Sequence, residues 1–252
     1  MKRLVIVVLA SILSMTVFAE GYQVNLLSTK QTGMGHVGTG MKLGAESMHF
    51  NPAGLVFLRT NMDFSLGISA IMAKAKYSYD GYSAKTDNPV GTPLYAYAGF
   101  KIYDNLAAGI SLTTPYGNSL KWPKNWAGAG LIQDISLKSY VIQPTLSYKI
   151  TDRLSIGVSL QLAWGNVNLS RALMGASDLQ GIGTKFESLL PLLAGVPSNI
   201  IPDEDKKAMQ EMVALMKGTE VPPAYARLEG NAHMRVGFNV GIMYDVCDKV
   251  TV

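Results

Sequence analysis

Arg227–Val246 reads Arg-Leu-Glu-Gly-Asn-Ala-His-Met-Arg-Val-Gly-Phe-Asn-Val-Gly-Ile-Met-Tyr-Asp-Val. None of its even positions is charged: Leu228, Gly230, Ala232, Met234, Val236, Phe238, Val240, Ile242, Tyr244 and Val246. Its odd positions hold the ionisable groups Arg227, Glu229, His233, Arg235 and Asp245. Side chains alternate faces along a strand, so the pattern predicts one long ribbon, apolar on one face and wet on the other. The run is far longer than the usual strand of about five or six residues. Such length with such two-sidedness suits a transmembrane β-barrel. A half-buried strand of a soluble sandwich is the alternative.

The rest of the chain repeats the pattern. Met62, Phe64, Leu66, Ile68 and Ala70 alternate with Asp63, Ser65, Gly67 and Ser69. Near Ile71–Ala73 the apolar set switches parity and Lys74 and Lys76 take the even positions; a β-bulge or emergence from the membrane explains this. Leu94–Ile102, Leu106–Thr113, Ser139–Ile150 and Leu154–Gly165 alternate likewise, with Pro144 a local defect because it lacks a ladder donor. Three similar elements, around Asp104-Asn105, Asp152-Arg153 and Asp248-Lys249, read as tight turns. The intervening connections are long, including Asp80–Pro93, Thr114–Gln133 and Ser170–Ala226. Short turns at one end and long loops at the other is the layout of an outer-membrane barrel. The fold expected is an all-β antiparallel transmembrane barrel, present as about six strands and the start of a seventh, residues 61–252. It resembles the N-terminal part of a longer barrel, since bacterial barrels begin at eight strands.

Composition agrees. Of 252 residues 48% are hydrophobic and only 16% charged, below the usual quarter or so. Lys2 and Arg3, the apolar run Leu4–Phe18 and the small residue Ala19 read as a cleavable signal peptide, residues 1–19. Its removal leaves 20 basic against 18 acidic residues, a net charge of +2. That gives no basis for nucleic-acid binding, so no nucleic-acid partner is expected. The lone Cys247 excludes an internal disulfide, and His36, His49 and His233 lack metal-ligand spacing, so no metal or cofactor is expected. No Ser-His-Asp order surrounds a strained serine, and an enzyme is not expected.

Residues 20–60 do not alternate. Gly33, Gly35, Gly38, Gly40, Gly44 and Gly54 are interleaved with serine and threonine. The letters Gly33-Met34-Gly35-His36-Val37-Gly38 match a dinucleotide fingerprint, but polar Ser28–Thr32 precedes them where a buried strand is required. A glycine-rich piece packed inside something fits better. The stretch ends in Phe50-Asn51-Pro52-Ala53-Gly54-Leu55. The connection at about 171–226 carries two helical patterns. Phe186, Leu189 and Leu190 lie on the first; Met209, Met212, Val213 and Met216 are spaced i, i+3, i+4, i+7 on the second. These seven are candidate capture residues for a greasy ligand, methionine being adaptable. The alternative is that the two helices merely cover each other.

Gly44-Ala45-Glu46-Ser47 followed by Phe50-Asn51-Pro52-Ala53-Gly54-Leu55, between a signal sequence and alternating strands, resembles the long-chain fatty acid outer-membrane transporter family of the FadL, TodX and OmpP1 type. The resemblance covers the whole chain. It implies a barrel blocked by an N-terminal hatch and passive uptake of fatty acids or other hydrophobic compounds from the outer membrane. It implies further that Asn51, Pro52 and Ala53 form a hatch motif facing a kink in the third strand, for which Gly109 is the candidate. Glu46 departs from the family, where aspartate is common. A ligand carboxylate needs a cation when desolvated, and Arg227, His233 and Arg235 are candidates; pairing with Glu229, Asp245 or hatch carboxylates is the alternative. The expected partners are a hydrophobic ligand and outer-membrane lipid, with the protein a monomer. A structural or adhesive barrel and an open porin are the competing functions.

Overall fold

The computed structural model describes residues 23–247, 250 and 251. The signal peptide expected at 1–19 lies outside them, as do Asp248 and Lys249 of the third turn. Among the described residues no helix is long and apolar enough to cross a membrane.

One antiparallel sheet dominates. Its order is β1 (Met62–Ile68), β4 (Leu94–Tyr103), β5 (Leu106–Thr113), β7 (Asp134–Thr151), β8 (Leu154–Ala172), β9 (Tyr225–Cys247) and β10 (Val250–Thr251). β6 (Gly117–Lys121) continues beyond β5 on the same side of β7, inside the stretch expected to be loop. β2 (Lys76–Tyr79) and β3 (Tyr82–Lys85) form a separate hairpin. The sheet's edges are β1 and β10. Asp104-Asn105 and Asp152-Arg153 make the two tight turns as expected. The connection between β8 and β9 holds α3 (Ala176–Ala194) and α4 (Asp203–Lys217), the first beginning eight residues before the apolar pattern at Thr184. Two short helices, α1 (Thr29–Gly33) and α2 (Ser47–Phe50), lie in the N-terminal segment.

The wall is two-sided. Phe64, Leu66, Ile68, Val158, Leu160, Val236, Phe238 and Val240 are exposed, Leu66 at 80% and Phe238 at 79%. Nothing described covers these rows, which rules out a sandwich, whose greasy faces meet. The opposite face carries Tyr95, Tyr97, Ala107, Gln143, Ser147, Ser155 and Met243, all buried. The burying partner is the N-terminal segment: Ala45, Met48, Leu55, Val56 and Leu58 join Tyr95, Tyr97 and Ala107 in one cluster. The apolar core therefore lies between that segment and the inward face.

The stretch Arg227–Val246 is one strand, but its faces are not constant. Ala163 pairs with Arg235 while Gly165 pairs with Ala232, so β9 carries an extra residue at His233-Met234. A bulge reverses which side chains face inward. Below it Arg235, Gly237, Asn239, Gly241 and Met243 point inward; above it Leu228, Gly230 and Ala232 do. Arg227 and Glu229 sit opposite Ser170 and Asn168 on the outward face. The expectation of one charged inner face along all twenty residues is thus corrected.

The parity change at Ile71–Ala73 resolves the other way. Exposed even positions continue from Met62 through Met72. The ladder resumes through Ile71–Gly91, Ala75–Thr86 and Lys76–Lys85 with the extra residue on the returning strand. Lys74 and Lys76 therefore prolong the outward row.

Candidate functional site

The site is built by small side chains. Gly157 on β8 and Gly241 on β9 are paired across the sheet on its inward face. A Cβ on Gly157 would overlap the backbone of Pro52 and Ala53; one on Gly241 would overlap the Asn51 side chain. Only glycine leaves room for the Asn51–Ala53 backbone to lie on the wall.

Polar contacts then fix the segment. Asn51 precedes the 3-10 helix Pro52–Phe57; its Oδ1 accepts from Ala53 N at 3.1 Å. This is the local N-cap bond that asparagine favours, with proline next in line because its missing N–H has no helical partner to lose. Asn51 Nδ2 donates to Thr39 O at 3.0 Å and to Ile242 O of β9 at 3.1 Å. The Ala53 carbonyl accepts from Ser147 Oγ at 3.1 Å and Ser155 Oγ at 2.9 Å. Gln143 Nε2 donates to Met48 O, and Asn239 Nδ2 to His49 O. On β1, Asp63 accepts from Ala45 N at 2.8 Å and Ser65 Oγ donates to Glu46 at 2.5 Å. Glu46 is buried and also accepts from Ser28 Oγ, with Lys30 Nζ 3.9 Å away. Tyr97 OH donates to Leu27 O. Wall side chains thus satisfy the backbone of an irregular segment, as a buried loop requires.

His49 belongs to this segment. Burial pushes its pKa down to about 4, and its Nδ1 has no partner among the described residues. Desolvation disfavours the charged imidazolium there.

Gly109 lies beneath Met48 and keeps unbroken register with Gly99 and Thr145. The interruption of the third wall strand lies further on. Thr113 pairs with Val141 and Gly117 with Lys138, so four steps oppose three. Pro115 sits in the gap, where its carbonyl accepts from Val24 N at 2.7 Å, and Tyr116 bridges to Gln23. A cavity of about 310 Å³ opens beside it, lined by Val24, Leu94, Tyr116, Leu137 and Tyr140 among others. The signal for this break is Thr114-Pro115, since proline cannot donate to a ladder.

Above the N-terminal segment the inward face bears a second cavity of about 260 Å³. Its lining includes Leu137, Ala163, Val167, Ala232 and Arg235. The three proposed cations are not brought together. Arg235 lines this cavity; His233 occupies the bulge; Arg227 is on the outward face, 2.5 Å from Glu229 and hydrogen bonded to Asn168.

The capture candidates divide as well. Val213 is buried at 4% and Leu190, Met209 and Met216 are half-buried between the helices. Phe186, Leu189 and Met212 are exposed. Gly183 lets α3 approach Met216 and Lys217 of α4, and Lys217 pairs with Glu187 at 2.6 Å. The helices thus cover each other with one row and present a second apolar row to solvent. No group of three or more His, Cys, Asp or Glu among the described residues is placed to hold a metal ion.

Comparison with known proteins gives the family and the fold. Residues 10–252 match the family described as outer membrane protein transport protein (OMPP1/FadL/TodX). A long-chain fatty acid transport protein of Escherichia coli O157:H7 is 24% identical over 247 residues, covering 95% of this chain and 51% of that protein. The crystal structure of a Pseudomonas aeruginosa FadL homologue superposes with a TM-score of 0.58 at 17% identity, over 91% of this chain and 50% of that one. The P. putida toluene transporter TodX gives 0.54 at 20% identity, over 91% and 53%. The chain therefore spans about half the length of the relatives it matches.

Proposed function

Because the chain belongs to the OMPP1/FadL/TodX family of outer-membrane transport proteins, which places it in the bacterial outer membrane, we propose that it admits hydrophobic compounds passively through a gated barrel. The barrel wall is residues 61–252, the hatch residues 20–60, and the helical insertion about 171–226 the capture surface. The ligand is a long-chain fatty acid, and the protein works as a monomer without chemical conversion.

One observation carries this reading: the inward wall is stripped to glycine where Asn51-Pro52-Ala53 lies, so the lumen is shaped around a stopper. An open porin has no need of that. The cavity above it supports an amphiphilic ligand. Its apolar lining suits an alkyl chain, and Arg235 supplies the cation a carboxylate needs on leaving water. The exposed Phe186, Leu189 and Met212 support capture of greasy molecules before entry.

The test is uptake by cells carrying the whole protein. Arg235→Gln is expected to slow labelled oleate uptake severalfold and leave toluene uptake unchanged. Equal loss for both ligands overturns the carboxylate role. Deletion of residues 23–58 is expected to open a leak to small hydrophilic solutes; a deletion strain that stays tight to them overturns the hatch.

A further inference from the structure

The hairpin β2–β3 places two lysines where elementary electrostatics disfavours them. Lys76 and Lys85 are direct cross-strand partners, both exposed. Like charges so placed destabilise a hairpin. Lys74, two residues earlier, extends the same side, and Lys121 of β6 adjoins it through Asp87 N–Lys121 O and Lys121 N–Asn88 Oδ1. Asp87 and Asp134 also lie nearby, yet no ion pair within 4.0 Å joins any of these six charges among the described residues. With Asp80 at the hairpin's turn, four cations stand against three carboxylates, and the balance is still positive. The opposite face of the hairpin is anchored: Tyr77 meets Trp126 edge-on at 6.1 Å, and Ala84 packs with stacked Trp122 and Trp126. The lysines are thus presented by a supported ribbon rather than a loose tip.

Their position identifies what they face. The outward row runs Met62, Phe64, Leu66, Ile68, Ala70, Met72, then Lys74 and Lys76. Lysine begins where the lipid-facing apolar row ends, on the side away from the tight turns, which is the external side of an outer-membrane barrel. At that level stand the headgroups of the outer leaflet, a phosphorylated glycolipid. Basic residues at a membrane surface recognise anionic headgroups. Ser78 and Ser83, paired on the same side, add hydroxyls suited to sugar or phosphate oxygens.

We propose that Lys74, Lys76 and Lys85, with Lys121 beside them, form a docking surface for the phosphate groups of outer-leaflet glycolipid. Bound phosphate relieves the Lys76–Lys85 repulsion and fixes the height of the wall in the bilayer.

The experiment titrates fluorescent bisphosphorylated diglucosamine glycolipid into the whole chain in detergent and reads anisotropy. With roughly fivefold per lysine at an anionic surface, Lys74→Gln/Lys76→Gln/Lys85→Gln is expected to weaken binding on the order of a hundredfold. A charge-matched Lys185→Gln/Lys207→Gln/Lys217→Gln variant is expected to bind like the unaltered protein. The unaltered protein is expected to lose the same affinity when the glycolipid is dephosphorylated. Heat-modifiable gel mobility shows that each variant is folded. The proposal is overturned by undiminished binding in the hairpin variant, by equal loss in the helix variant, or by indifference to dephosphorylation. Full displacement by millimolar inorganic phosphate overturns it too, since that marks a free-phosphate site.

Discussion

The N-terminal segment and the α3–α4 hairpin are both irregular insertions relative to the wall, yet they are held in opposite ways. The segment lies on glycines, is bonded by side chains of five wall strands, and contains fully buried Met48 and Leu55. The hairpin packs on itself, with only Gly183 and Val213 buried in its two helices. The difference teaches where rigidity is invested. The segment has one tightly specified place; the hairpin needs only to keep an apolar row available.

The comparison breaks most sharply at the glycine floor. Gly157→Val puts a branched side chain into the Pro52–Ala53 backbone, and overpacking of this kind costs about 1–3 kcal/mol or more. The expected outcome is an unseated segment, read as proteolysis within residues 23–58 and a rise in hydrophilic leak. Unchanged protease resistance would show that the floor is not the seat.

Next in size is the paired loss of Ser147→Ala and Ser155→Ala. Both donors to the Ala53 carbonyl disappear, and a buried unsatisfied acceptor costs about 1–3 kcal/mol. Hydrogen exchange at residues 45–57 is expected to accelerate while exchange in β8 holds. Acceleration spread evenly over the wall would blur the distinction between seat and barrel.

A pH dependence sharpens the contrast further. His49 has a folded pKa of about 4, below its ordinary 6.5. Above pH 6.5 it is neutral folded or unfolded, and seating does not depend on pH. As pH falls from 6.5 towards 4 the free segment takes up a proton that the seated one refuses, so seating weakens. Protection of residues 45–57, taken relative to the intrinsic exchange rate at each pH, should fall across that window, and His49→Phe should flatten the response. The hairpin carries no such group and should not follow.

The smallest effect on stability is expected in the hairpin itself. Phe186→Ser with Met212→Ser touches exposed positions, where substitutions move stability by only about ±0.5 kcal/mol. Uptake at low ligand concentration should fall while the melting temperature stays put. A large drop in melting temperature would make the hairpin a structural brace.

Alternation made the wall legible, because a sheet with lipid outside and an N-terminal segment inside must change chemistry at every residue. Asn51-Pro52-Ala53 was legible for a different reason: a cap, a fixed φ and a small side chain describe a tight turn wherever they occur. The bulge at His233-Met234 was not. Gly230, Ala232 and Leu228 are neutral on either face, so a one-residue slip leaves no trace in the letters, and strict alternation puts Arg227 on the wrong side. The partition of Arg235 from Arg227 is a consequence of that slip alone. The break at Thr114–Tyr116 was written in Pro115, but Gly109, lying in a regular ladder beneath Met48, offered the more conspicuous residue.

Asn51 reaches the Ile242 carbonyl across 191 positions of chain. The N-terminal segment is made early in synthesis, but its bond to Ile242 forms only when β9 is in register. It therefore cannot lock until the wall beside it has been laid, and its locking is a built-in inspection of that wall. A wall with β9 misregistered by one residue presents Val240 or Ile242 where Gly241 belongs, and leaves the N-terminal segment unseated and open to any protease or chaperone that polices the periplasm.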